Sequence, residues 1–164
     1  MKVSQIMTTD VESCSGSTDL ANAALIMWRK DCGIVPVIDP ADRRVIGVIT
    51  DRDICMAVAT RHQRPDEIPV DSVISGRVYT VKPEDDLKVA VDLFGTHRVR
   101  RLPVIDLDGR LVGVLSVMDL ARVASAQPNR SKAPIAAEEI VGILQAIGTI
   151  AEARQTATPR AARV

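Results

Sequence analysis

A chain of 164 residues with 46 % apolar content can bury a real core, as one domain or two small fused ones, which excludes wholesale disorder. Its 21 basic and 21 acidic side chains cancel, so no global field draws it to DNA, RNA or an anionic membrane surface. Trp28, Tyr79 and Phe94 are its only aromatics, so the core must be aliphatic and the stacking platforms of single-strand binders are missing.

No apolar run approaches the roughly 18 residues that span a bilayer, and the start, Met1 to Gln5, lacks the apolar stretch of a secretory signal. Cys14, Cys32 and Cys55 are odd in number, and no Cys or His pair stands at metal-ligand spacing. Core thiols in a reducing cytoplasm, without membrane or metal, are the expectation.

The chain repeats itself. An offset of 67 pairs Val3 with Val70, Val11 with Val78, Asp19-Leu20 with Asp86-Leu87, and Pro36-Val-Ile-Asp39 with Pro103-Val-Ile-Asp106. After a one-residue deletion, an offset of 66 pairs Gly47-Val48 with Gly113-Val114, Thr50 with Ser116 and Asp53 with Asp119. The boundaries read as repeat 1 over 1–62, a connector over 63–69, repeat 2 over 70–126, and a remainder over 127–164.

Each copy opens on an extended segment, Val11 to Cys14 or Val78 to Val81, followed by a polar turn. A helix follows, because Leu20, Ala23, Ala24, Met27 and Trp28 recur with a 3.6-residue period, as do Leu87, Ala90, Val91 and Phe94. Short branched runs, Ile34 to Ile38 and Leu102 to Ile105, read as strands whose Pro marks an edge or a bend. A second run, 45–49 or 111–115, turns directly into a helix carrying Ile54, Ala57 and Val58, or Leu120, Val123 and Ala124. The unit is β-α-β-β-α, and two such units are expected to pack around one shared core, giving a mixed α/β fold. A polar break, Ser125 to Pro134, precedes an amphipathic helix over about 136–153 with Ile140, Ile143, Leu144, Ile147 and Ala151 on one face; the last ten residues read as frayed.

Two motifs carry possible chemistry. Thr50-x-x-Asp53 and Ser116-x-x-Asp119 stand where helices begin. One reading is a capping box that only stabilises the helix. The other is a ligand site, with free N–H groups and hydroxyl facing phosphate and the carboxylate gripping sugar hydroxyls. Duplication favours the second, and the two coexist. The strands Ile34-Val35-Pro36 and Arg101-Leu102-Pro103 either belong to the core or sandwich a purine. Arg52 and the cluster His97-Arg-Val-Arg-Arg101 read as solvated edges or as phosphate contacts. The catalytic motifs G-x-S-x-G and H-E-x-x-H and the Gly-rich phosphate loops do not occur, so no enzyme is expected.

On these residues the chain resembles a tandem CBS-domain protein, a stand-alone Bateman module, over about residues 3–125. Ile6-Met-Thr8, Gly47-Val-Ile-Thr-Asp-Arg-Asp-Ile54 and His97-Arg-Val-Arg-Arg-Leu-Pro-Val104 carry the likeness. It implies two folds about a pseudo-twofold axis, plus a C-terminal helix, and two clefts for an adenine nucleotide such as AMP, ATP or NAD. By the same likeness Asp53 and Asp119 match the acid that binds ribose, and Thr50 and Ser116 the hydroxyl that meets phosphate. Ile34, Val35, Pro36, Leu102 and Pro103, with Val11 and Val78-Tyr79-Thr80, match the adenine clamp. Asp51-Arg52 against Val117-Met118 makes the sites unequal, the first helix start being the more polar. A non-enzymatic regulator follows, with a nucleotide as regulatory ligand, no required cofactor, a homodimeric habit, an unnamed downstream protein and no nucleic acid. The alternative is a ligand-independent interaction module with vestigial clefts.

Overall fold

A computed structural model describes residues 1–74, 77–125 and 134–156, with 149–156 described by their backbone alone. The break over 126–133 and the tail over 157–164 lie outside the described residues. Repeat 1 runs β1 (Cys14–Ser15), α1 (Leu20–Arg29), β2 (Ile34–Ile38), β3 (Val45–Thr50) and α2 (Asp51–Arg61). Repeat 2 runs α3 (Leu87–His97), β4 (Arg101–Ile105), β5 (Leu111–Ser116) and α4 (Val117–Ser125), followed by α5 (Ala137–Thr156).

The duplication extends to irregularities. β2 and β3 pair antiparallel with a register shift at Val37/Ile38; β4 and β5 pair alike with a shift at Val104/Ile105. Pro36 sits in the middle strand of the first sheet, yet β1 reaches only Val37 and Ile38. Its missing N–H therefore orphans no partner. The leading segments are shorter than expected. In repeat 2 only Val81 bridges to Val104, because the Lys82 N–H turns to Asp85 Oδ2 at 2.7 Å and Pro83 has no N–H to give.

One expectation is corrected by the packing. There is no single shared core but two, each completed by a segment of the other repeat. Val3, at the start of repeat 1, is buried with Leu87, Phe94, Leu102, Leu115 and Leu120 of repeat 2. Ile68 at the end of the connector and Val70 at the start of repeat 2 are buried with Leu20, Val35, Val37 and Ile49 of repeat 1. Main-chain bonds latch both exchanges: Thr8 N–H to Val114 O at 3.0 Å with Val114 N–H back to Thr8 O at 2.9 Å, and Leu20 N–H to Ile68 O at 3.0 Å.

Gly113 permits the first latch. A Cβ there would lie 2.8 Å from the Thr8 carbonyl oxygen, whereas at Gly47 it would meet the flexible Cδ1 of Ile74. Gly113→Ala should therefore lower stability by about 1–3 kcal/mol and Gly47→Ala by clearly less, read from denaturant midpoints.

The α5 stripe is narrower than the sequence pattern. Ile140 and Ile143 are buried and Ile147 packs against the repeat 2 core, while Leu144 is exposed; the Ala151 side chain lies outside the described ones. A helix resting on two others buries an i, i+3, i+7 line, and Leu144 is one residue, about 100°, round from it. The three cysteines are free. Burial pushes the Cys14 thiol up to about 11, so at pH 8 it should resist thiol reagents until the fold opens, while exposed Cys55 reacts in the native monomer.

Candidate functional site

β3 runs into α2, and β5 into α4, with no loop between. At the first junction Thr50 Oγ1 accepts from the Asp53 N–H at 3.2 Å, and Asp53 Oδ2 accepts from the Thr50 N–H at 3.0 Å and its hydroxyl at 2.6 Å. At the second, Ser116 and Asp119 repeat these bonds at 3.2, 2.9 and 2.6 Å. Both are complete capping boxes, so the structural reading of the motif holds in full.

The remaining carboxylate oxygens differ. Asp119, only 8 % exposed, also accepts from Arg122 Nη1 at its Oδ1, at 2.9 Å. Asp53 Oδ1 has no partner among the described residues, since Met56 stands where repeat 2 has Arg122.

The second junction is overlooked by repeat 1, a direct result of the exchanged leads. Thr8, Val11 and Glu12, with Ile34 and Lys30, face Ser116, Asp119 and Arg122 across a cleft of about 460 Å³. Its pseudo-symmetric counterpart, about 360 Å³, is walled by Arg77, Val78 and Tyr79 with Val48, Val99 and Pro103. Tyr79 stacks on His97 with ring centroids 3.6 Å apart, where the larger cleft has Glu12 and Lys30. Volumes of this order suit small molecules.

Charge is distributed otherwise than the helix starts suggest. The larger cleft, at the second helix start, holds Asp10, Glu12, Asp31 and Asp119 against Lys30, Arg101 and Arg122. Most of these charges come from repeat 1, so the polarity of a helix start does not fix that of its cleft. Lys30 Nζ is paired with Asp10 at 3.0 Å, which holds its ammonium above the usual range, and Arg29 meets Glu12 at 3.4 Å. Arg101, half-buried, lines both clefts, and its guanidinium has no hydrogen bond or ion pair among the described residues.

The other expected site residues scatter. Val35, Pro36 and Leu102 are buried in their cores, although Pro103 reaches the smaller cleft. Thr80 lines a separate groove with Ile105 and Gly109, and Arg52 is exposed and lines neither cleft. The basic cluster is dispersed: Arg98 and Arg100 are exposed, Arg101 lines both clefts, and His97 stacks on Tyr79. Sequence reading missed Thr8, Lys30, Val114 and Arg122. Arg122, one turn after Asp119, carried a legible signal; Thr8 and Lys30 carried none.

The duplicated unit, exchanged leads and paired clefts define a two-repeat module with pseudo-symmetric clefts. The chain belongs to the CBS domain family, whose model matches residues 3–60 and 70–126. It is 34 % identical over 119 residues to the CBS domain-containing protein YhcV of Bacillus subtilis, covering 73 % of this chain and 82 % of that protein. A conserved CBS domain protein of Thermoplasma acidophilum superposes with a TM-score of 0.74 at 25 % identity, over 91 % of this chain and 77 % of that one. The CBS domain pair of protein MJ0100, solved with 5′-methylthioadenosine and S-adenosyl-L-methionine, matches in fold at a TM-score of 0.69 and 19 % identity, over 77 % and 97 %. Proteins of this family are in general regulatory rather than catalytic. No described helix is long and apolar enough to cross a membrane.

Proposed function

We propose that this chain is a non-enzymatic sensor binding an adenosine-containing ligand, of the AMP, ATP or NAD kind, in the clefts between its repeats. The ligand shifts the packing of the repeats, or of two protomers in a homodimer, and a downstream protein reads the change. The observation that carries this is Arg101: a half-buried guanidinium without a partner, lining both the larger cleft, which the Ser116–Asp119 helix start also lines, and its smaller counterpart. An unpaired cation in a wall is costly unless something anionic completes it. Ribose goes to Asp53 or Asp119, the base lies against Val11, Ile34 and Val114 or against Val48, Val78 and Val99, and phosphate goes to Arg101. The shared fold of the adenosyl-bound MJ0100 pair supports the ligand class.

In the larger cleft four acids face three bases, so it favours a ligand of low negative charge over a triphosphate. The domain limits at 62 and 69, and a cytoplasmic setting for three free thiols, belong to the same reading.

Arg101→Gln separates the parts of the ligand. It should weaken AMP about ten-fold or more, the worth of a charge-assisted bond, and leave adenosine nearly unchanged. Calorimetry with both ligands tests this; equal losses for the two would remove Arg101 from phosphate recognition. A second reading, an interaction module with vestigial clefts, is favoured by Asp119, whose two oxygens are already satisfied within its own helix start. It predicts no thermal shift with any nucleotide.

A further inference from the structure

The duplication supplies an internal control for the charges of the two clefts. Asp10, Glu12 and Ile34 of the larger cleft correspond, at the offset of 67, to Arg77, Tyr79 and Arg101 of the smaller one. The apolar walls are kept, Val11 answering to Val78 and, at the offset of 66, Val48 to Val114. Divergence has altered the charge and spared the walls. The smaller cleft is lined by two guanidiniums and, among the described residues, by no carboxylate. A phosphoryl group suits that pair, since the Arg fork matches its oxygens.

The larger cleft has the opposite balance, and two of its three bases are already engaged. Lys30 is tied to Asp10 at 3.0 Å and Arg122 to Asp119 at 2.9 Å. Arg101 is left to meet an anion there, and the same Arg101 lines the smaller cleft. Its head reaches across from repeat 2 to repeat 1: a Cβ at Gly33 would lie 3.7 Å from Arg101 Nη1. Repeat 2 has Arg100 at the matching position, so the glycine of repeat 1 leaves this crossing open. One fork grips one phosphoryl group, and phosphates in the two clefts must compete for it. With Arg101 drawn into the smaller cleft, the larger keeps four acids against Lys30 and Arg122. That balance repels a second anion and accepts a neutral or cationic molecule.

We propose that Arg101 couples the two clefts. A phosphorylated adenosine compound is taken by the smaller cleft, between Arg77 and Arg101, and its presence weakens a second one in the larger. The larger cleft is thereby kept for an adenosine compound without phosphate. This rests on the ligand reading above and adds which cleft takes which ligand.

AMP and adenosine are the probes, followed in the full chain by valine methyl resonances. Val78 and Val99 report the smaller cleft, Val11 and Val114 the larger. In wild type AMP should fill the smaller cleft first, and the larger only at about ten-fold higher concentration or more. Val78→Trp, which plugs the smaller cleft, should tighten AMP at the larger about five-fold or more, because Arg101 is returned to it. Adenosine at the larger cleft should bind equally with and without the plug, which also shows that the variant is folded. In an Arg101→Gln background the plug should leave AMP at the larger cleft unchanged. A plug that fails to tighten AMP, or that tightens adenosine as much, overturns the coupling while the ligand reading stands. AMP entering the larger cleft first overturns the assignment of ligands to clefts. No methyl shift with either probe overturns the ligand reading together with this one.

Discussion

Asp119→Asn is expected to weaken adenosine-containing ligands about ten-fold or more at the larger cleft, with Asp53→Asn doing the same for a ligand held at the first helix start. The carboxylate is the group suited to hold two vicinal hydroxyls, and charge-assisted bonds of this kind are worth about 1.5–3 kcal/mol. Asn is preferred to Ala because Asp119 Oδ2 also accepts from the Ser116 N–H and hydroxyl at 2.9 and 2.6 Å. An amide oxygen can keep one of these bonds, so the helix start survives and the binding loss is read on a folded protein. Asp119→Ala would add a capping loss of about 1 kcal/mol to the same measurement. Calorimetry with AMP, ATP, NAD and S-adenosylmethionine gives the result, and wild-type affinity in both Asn variants would sink the assignment. The two sites should differ in one respect. Asp119 must release Arg122 from its Oδ1 before that oxygen meets a ribose, while Asp53 Oδ1 is already free of protein partners among the described residues.

Phe94→Ala is expected to cost about 3–5 kcal/mol, the largest stability effect of any single truncation considered for this chain. Phe94 is wholly buried, packed with Leu87, Leu102 and Leu120 and with Ile140 and Ile143 of α5. Removing its ring leaves a cavity under α5 that rigid strands on the other side cannot collapse to fill. Met27, its counterpart in repeat 1, faces an open groove and should cost less when truncated, near the lower end of about 2–5 kcal/mol. Denaturant unfolding of Phe94→Ala and Met27→Ala compares them directly. Equal losses would mean that α5 adds nothing to the packing of repeat 2.

Much of this architecture was readable from local order in the chain. The 67-residue offset, the helical period of Leu20 to Trp28 and the strand–helix junctions at Thr50 and Ser116 all depend on neighbours within a few residues. Capping is likewise a three-residue event, and Thr50–Asp53 and Ser116–Asp119 formed the expected bonds. What misled was distance. Val35 and Leu102 share a strand with cleft residues, but the pleat and the curvature of the sheet turn them wholly into the cores. Leu144 matches the α5 apolar period, yet its exposure depends on how α5 lies across α3.

The sequence by itself determined that the protein is a duplicated β-α-β-β-α unit with a hydroxyl–acid cap at each second helix, because secondary structure and capping are written in short-range patterns. Only the tertiary structure decided that the leads cross over, Val3 into the core of repeat 2 and Val70 into that of repeat 1. That exchange brings Thr8, Val11 and Glu12 to Ser116 and Asp119, and sets Arg101 between two clefts. Its physical reason is burial. Neither repeat covers its own apolar sheet, and a valine distant in the chain fills the gap as well as a near one, with no mark in the local pattern to announce it.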